Sequence, residues 1–169
     1  MEQKVGLIPY VLVPGAFGQK EYGVLLTNER TIFVLEKSAN TAAGAVIGGV
    51  VGAMLAYSMT SKRTVDYAVA DPEALAREEE NIVVPHSRIT GFRLRKSMAV
   101  YVLEIEYANA EGKTKKVQAW VTPPQEMIKA RKAQGAKLKE TTVEYVKTAE
   151  EALKRALPTS LAQRVNWPF

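Results

Sequence analysis

Apolar and polar residues alternate with a period of two along Ala99 to Tyr107. Tyr101, Leu103, Ile105 and Tyr107 fall on one side, with Val100, Val102, Glu104 and Glu106 on the other, the signature of a strand packed on one face. The pattern returns in Thr114 to Val121, where Val117, Ala119 and Val121 oppose Lys116, Gln118 and Trp120. Asn109-Ala110-Glu111-Gly112 between them is a turn whose glycine can take positive φ. Thr90 to Lys96 precedes them, with Phe92 and Leu94 on one face and Arg93 and Arg95 on the other. Together the three predict an antiparallel meander, preceded by a short strand at Ile82 to Pro85. Nearer the N-terminus, Glu21 to Thr27 and Thr31 to Glu36 are almost continuously apolar and are joined by a tight turn at Asn28-Glu29-Arg30; they read as the centre of the sheet. Val5 to Val13 is a further strand, and Pro9 places it at an edge or near an irregularity, because proline gives no ladder donor.

Helical signals break in at two places. Thr41 to Met59 belongs to an uncharged stretch that continues to Ser61, with Gly44, Gly48 and Gly52 at every fourth position. In a helix these three lie on one side and leave a groove for close approach, the small-xxx-small arrangement. Gly and Ala supply too little transfer energy for a favoured membrane span, so this helix is expected to pack on the sheet or against its copy in a second subunit, with Thr41 to Met59 as a lipid-contacting or membrane-inserted helix the alternative. Lys62 to Ala70 reads as extended. Asp71-Pro72-Glu73 opens a short helix running into Glu78-Glu79-Glu80, an excursion expected to be mobile. Thr122-Pro123-Pro124-Gln125 matches a capping box for a helix ending near Gly135, and Thr141 to Glu144 a second one. Val146, Ala149, Leu153 and Leu157 then form an apolar stripe that Pro158 ends. Leu161, Val165, Trp167 and Phe169 give the tail enough apolar surface to fold back.

Composition narrows the chemistry. At 169 residues, 47% apolar and 24% charged, the chain has the make-up of one folded domain with room for an appendage. It contains no cysteine, which excludes disulfides, thiolate zinc and cysteine nucleophiles and fits a reducing compartment. The first residues lack a basic region followed by an apolar run, so a cytoplasmic location is expected, with membrane association open. His86 is the only histidine; it sits in a turn, and a solvent or backbone partner is expected for it. Glu104 and Glu106 read as cross-strand partners of Lys115 and Lys116. No phosphate-binding or dinucleotide fingerprint is present. The expectation is a protein with no catalytic residues, metal or cofactor.

Net charge is +5, unevenly placed: Lys113 to Phe169 holds 12 basic and 5 acidic residues. Lys129, Arg131, Lys132, Lys137 and Lys139 are its densest cluster. They form either an anion-attracting surface or a solvated helical face. No aromatic residue lies among them, so nucleic acid is not an expected partner. Lys62, Arg63, Arg93, Arg95 and Lys96 form a second candidate anion or lipid patch, against the alternative of an ordinary strand face.

The run Gly23-Val24-Leu25-Leu26-Thr27-Asn28-Glu29-Arg30-Thr31-Ile32-Phe33-Val34, and more weakly Val84-Pro85-His86-Ser87-Arg88-Ile89-Thr90-Gly91-Phe92, resembles the pleckstrin-homology-like superfold, in particular the short prokaryotic PH-like and GRAM-like domains. The resemblance covers residues 5 to about 135. It implies an α+β protein: a partly open antiparallel β-barrel or sandwich plugged by a helix, serving as a lipid- or protein-binding platform. The inserted glycine-rich helix and the chain beyond Gly135 depart from the minimal pattern. The expected organisation is a PH-like domain over 1–135 with an insertion at 41–80, and a helical extension over 136–169. The expected partners are a second copy of the chain through Gly44, Gly48 and Gly52, an anionic lipid surface, or another protein. A homo-oligomer dispersed by Gly48→Leu in a solution-mass measurement tests the first; an unchanged monomer contradicts it.

Overall fold

The computed structural model describes residues 1–16, 18–38 and 65–169. Seven strands form one antiparallel open sheet: β1 (Lys4–Gly15), β2 (Gly18–Thr27), β3 (Arg30–Ser38), β4 (Ile82–Pro85), β5 (Ile89–Ser97), β6 (Val100–Ala108) and β7 (Thr114–Val121). Their order is β4-β3-β2-β1-β7-β6-β5. The helices are α1 (Pro72–Arg77), α2 (Gln125–Ala133), α3 (Leu138–Ala156) and α4 (Thr159–Ala162), with a 3-10 turn at His86–Arg88. The chain is therefore α+β, with the longer of the described helices after the sheet. One face of all seven strands and the apolar stripe of α3 enclose the main core, which contains Ile8, Val11, Val24, Phe33, Val84, Leu94, Leu103, Ile105, Val146 and Leu153.

Of the two positions that Pro9 allowed, the structure takes the irregular one. β1 is the central strand, and its pairing with β2 shifts register between Ile8 and Val11. Pro9 and Tyr10 together oppose the single residue Gly23, a bulge where a missing donor is tolerated.

The continuous apolar runs of β2 and β3 have a direct cause: both faces of this half of the sheet are covered. The second face carries its own cluster, in which Leu25, Ile32 and Val34 meet Tyr67 and Leu75. Residues 67–69 form a turn here, so the described part of the segment expected to be extended does not join the sheet. The hydroxyl end of Tyr67 lies over Gly23, where an added Cβ would stand 2.1 Å from its Oη, and that Oη donates to Glu36 at 2.5 Å. The Lys4 ammonium donates to the carbonyls of Tyr67, Ala68 and Ala70 at 3.1, 2.9 and 3.2 Å. Asp71 caps α1, as the sequence indicates, by accepting from the Glu73 amide. The helix stops at Arg77, so the acidic run lies beyond it, in a turn pinned by Asn81. Asn81 accepts from the Leu35 amide at 2.9 Å and donates to the Leu75 carbonyl at 2.9 Å.

The meander β5–β6–β7 pairs in the expected register, Leu94 with Leu103 and Leu103 with Ala119. The helix boundaries after it move. α2 begins at Gln125 with Pro124 in the capping position, so Thr122 does not cap it. Gly135 does follow its end, at φ +86. There its amide bonds the Lys132 carbonyl, and the next amide bonds that of Arg131, closing the helix with a conformation glycine takes readily. α3 starts at Leu138, ahead of the expected Thr141, because the Glu140 carboxylate accepts from the Lys137 amide at 3.1 Å. The tail folds back: Trp167 packs on Phe92 at 5.8 Å and Phe169 on Tyr101 at 5.6 Å between ring centroids.

Candidate functional site

α3 docks on β1 closely enough that a Cβ at Gly6 would meet that of Ala152 at 3.2 Å. Two turns nearer the start of α3, the Tyr145 hydroxyl reaches the bulge. It accepts from the Tyr10 amide at 2.9 Å and donates to the Tyr10 carbonyl at 2.7 Å, so a side chain from α3 serves both backbone groups at the kink that Pro9 makes. Beside this clasp lies a largely apolar cavity of about 270 Å3, walled by Leu7, Ile8, Pro9, Met127 and Ala149 and rimmed by Arg131. Arg131 is held by both carboxylate oxygens of Glu144, at 2.8 and 2.7 Å.

The α2–α3 elbow forms the outer rim. α2 buries no residue, and Leu138 is 60% exposed. Lys129, Lys132, Lys137 and Lys139 are all exposed. Two of the neighbouring carboxylates are engaged elsewhere: Glu140 on the Lys137 amide and Glu144 on Arg131. Among the described residues none of the four lysines has a carboxylate within ion-pair distance, and with Arg131 they outnumber Glu126, Glu140 and Glu144, so the elbow carries a positive balance.

The strand-face patch is arranged differently. Arg93 and Arg95 share one face of β5, and Lys96 points to the other. Arg95 binds Glu104 at 2.7 Å and Lys116 approaches the same carboxylate at 3.4 Å. The Arg95 hydrogen bond, ahead of Lys116, holds the Glu104 carboxyl below its usual range. Glu104 is thus paired across both neighbouring strands, which makes this face a mixed-charge ladder. Gly44, Gly48, Gly52, Lys62 and Arg63 lie outside the described residues.

The Thr27-Asn28-Glu29-Arg30 turn is a structural clasp. The fully buried Thr27 hydroxyl accepts from the amides of Glu29 and Arg30 at 3.1 and 2.9 Å. Asn28 accepts from the Gln3 amide at 2.6 Å. Arg30 grips Glu2 through two bonds, at 2.7 and 2.5 Å, and reaches Glu73 at 2.6 Å. The Arg30 hydrogen bond lowers the Glu2 carboxyl and raises the guanidinium in turn. His86 lies beside it, buried, with Nε2 3.0 Å from the Thr31 hydroxyl. The 3-10 helix turns the ring inward, away from the solvent partner the turn allowed, and a hydrogen bond with the Asn28 backbone supplies the backbone partner that it also allowed. Burial lowers its pKa and favours the neutral ring. The Thr31 hydroxyl and the ring are both buried, at 0% and 6% exposed, so this pair faces the interior. Among the described residues no group of three or more metal-ligating side chains comes together.

The lysine cluster was visible in sequence. Its link to the β1 kink was not, since Tyr10 and Tyr145 are far apart in the chain and no local pattern joins them. No protein-family model matches this chain, and no curated protein matches it. Among the described residues no helix is long and apolar enough to cross a membrane.

Proposed function

We propose that this chain is a non-enzymatic binding module of PH-like architecture that works against an anionic membrane surface. The observation that supports the reading is an open antiparallel sheet of seven strands with α3 packed on its core, which is compatible with a partly open barrel or sandwich. The positive balance of the C-terminal portion supplies attraction to anionic lipid. The polar clusters among the described residues support a structural role, since Arg30, Glu104 and His86 are each tied to another side chain. Self-association through the glycine spacing remains part of the proposal, with the Gly48→Leu mass measurement as its test.

Co-sedimentation of the full chain with lipid vesicles tests the membrane reading. Binding to vesicles containing phosphatidylserine, absent with phosphatidylcholine alone and weakened by salt, is the expected result. No binding to either, or equal binding to both, overturns it.

A further inference from the structure

We infer that the α2–α3 elbow is the face that meets the anionic lipid, with Lys129, Lys132, Lys137 and Lys139 reading the headgroup charge and Leu138 entering the interface. This rests on the membrane reading above and names its contact surface. Glu144 is paired with Arg131 and Glu140 is held on the Lys137 amide, so none of the four ammonium groups is tied in an ion pair, and the basic residues of the elbow outnumber Glu126, Glu140 and Glu144. Leu138, 60% exposed between Lys137 and Lys139, has the apolar-among-basic setting of an interfacial residue. Its neighbours can extend their ammoniums to the phosphates while their stems lie along the boundary. With no buried residue in α2, presenting this face costs the core nothing. The competing basic surface, around Arg93 and Arg95, is offset by Glu104 and Glu106 on the adjacent strand. Nucleic acid is disfavoured because Gln125 to Glu140 contains no aromatic residue on which a base could stack.

The test compares two charge-matched variants of the full chain on phosphatidylserine-containing vesicles. One carries Lys129→Gln, Lys132→Gln, Lys137→Gln and Lys139→Gln. The other carries Arg88→Gln, Lys113→Gln, Lys115→Gln and Arg164→Gln, exposed cations outside the elbow. Unchanged circular dichroism and melting establish that both fold. At about a tenfold loss for each one to two lysines removed near a surface, the elbow variant should bind at least about a hundredfold more weakly. The control set should stay within a few fold of wild type, and Leu138→Ser should weaken binding with charge intact. Wild-type binding with equal losses in both sets overturns the elbow assignment and leaves the membrane reading standing. Wild type that ignores vesicles overturns both, and retention on single-stranded DNA or polyglutamate would then identify the other partner class.

Discussion

At the scale of single residues, Gly23 beneath Tyr67 is a position with no room for a side chain. Any side chain there collides with a ring that is held over the sheet by its bond to Glu36. Gly23→Ala should push Tyr67 out of the second cluster and destabilise the protein by about 1–3 kcal/mol, read as a lower urea midpoint. A midpoint equal to wild type would mean that Tyr67 contributes nothing where it lies. The sequence marked Gly23 only as the start of a resembling run. The reason for a glycine became visible once the chain at 65–70 was placed over it. Glu104 is a parallel case: its cross-strand pairing was legible from alternation, while its second partner, Arg95, required the register of β5 on β6.

At the scale of elements, period-two alternation identified the meander strands closely, because each has one buried and one exposed face. It served less well for β2 and β3, whose two buried faces erase the alternation, and for the helix starts. There a carboxylate at Glu140 captured the Lys137 amide ahead of the Thr141 capping box. Pro9 pointed to the irregularity in β1 without giving its place at the centre of the sheet. That place depends on α3: the Tyr145 hydroxyl bonds the Tyr10 amide and carbonyl beside the bulge. Tyr145→Phe takes both bonds away with little change in packing and should cost about 1–3 kcal/mol. Denaturant unfolding at unchanged m-value checks this, and no loss would show that the hydroxyl is incidental.

At the scale of the whole molecule, two kinds of group tie stability to pH in the same direction. His86 has its pKa lowered by burial from the usual 6.5, so the unfolded chain takes up a proton there before the folded one does. Glu2 and Glu104 are lowered from the usual 4.5, by Arg30 and by Arg95 respectively. In each case the unfolded state binds more protons between the two values, and stability rises with pH across that interval. The contribution of His86 is complete above pH 6.5 and is lost as pH falls through its folded value; those of the carboxylates are complete above 4.5 and are lost below it. Melting temperature should therefore drop in two stages on acidification, and His86→Gln should remove the first. A wild-type profile flat from neutrality down to pH 4.5 would contradict the histidine stage.

The central position of β1 also bears on how the chain comes into being. Val11 pairs with Val121, 110 positions later, so on the ribosome the side of the first strand that meets β7 at Val11 and Leu12 waits unpaired until most of the protein has been made. Its other side can pair early, through the local turn to β2. A nascent chain, or a product truncated before residue 114, would therefore hold an apolar β1 edge open to any neighbouring polypeptide. Expression at reduced synthesis load, or with chaperone holding, is where this topology would gain most in yield.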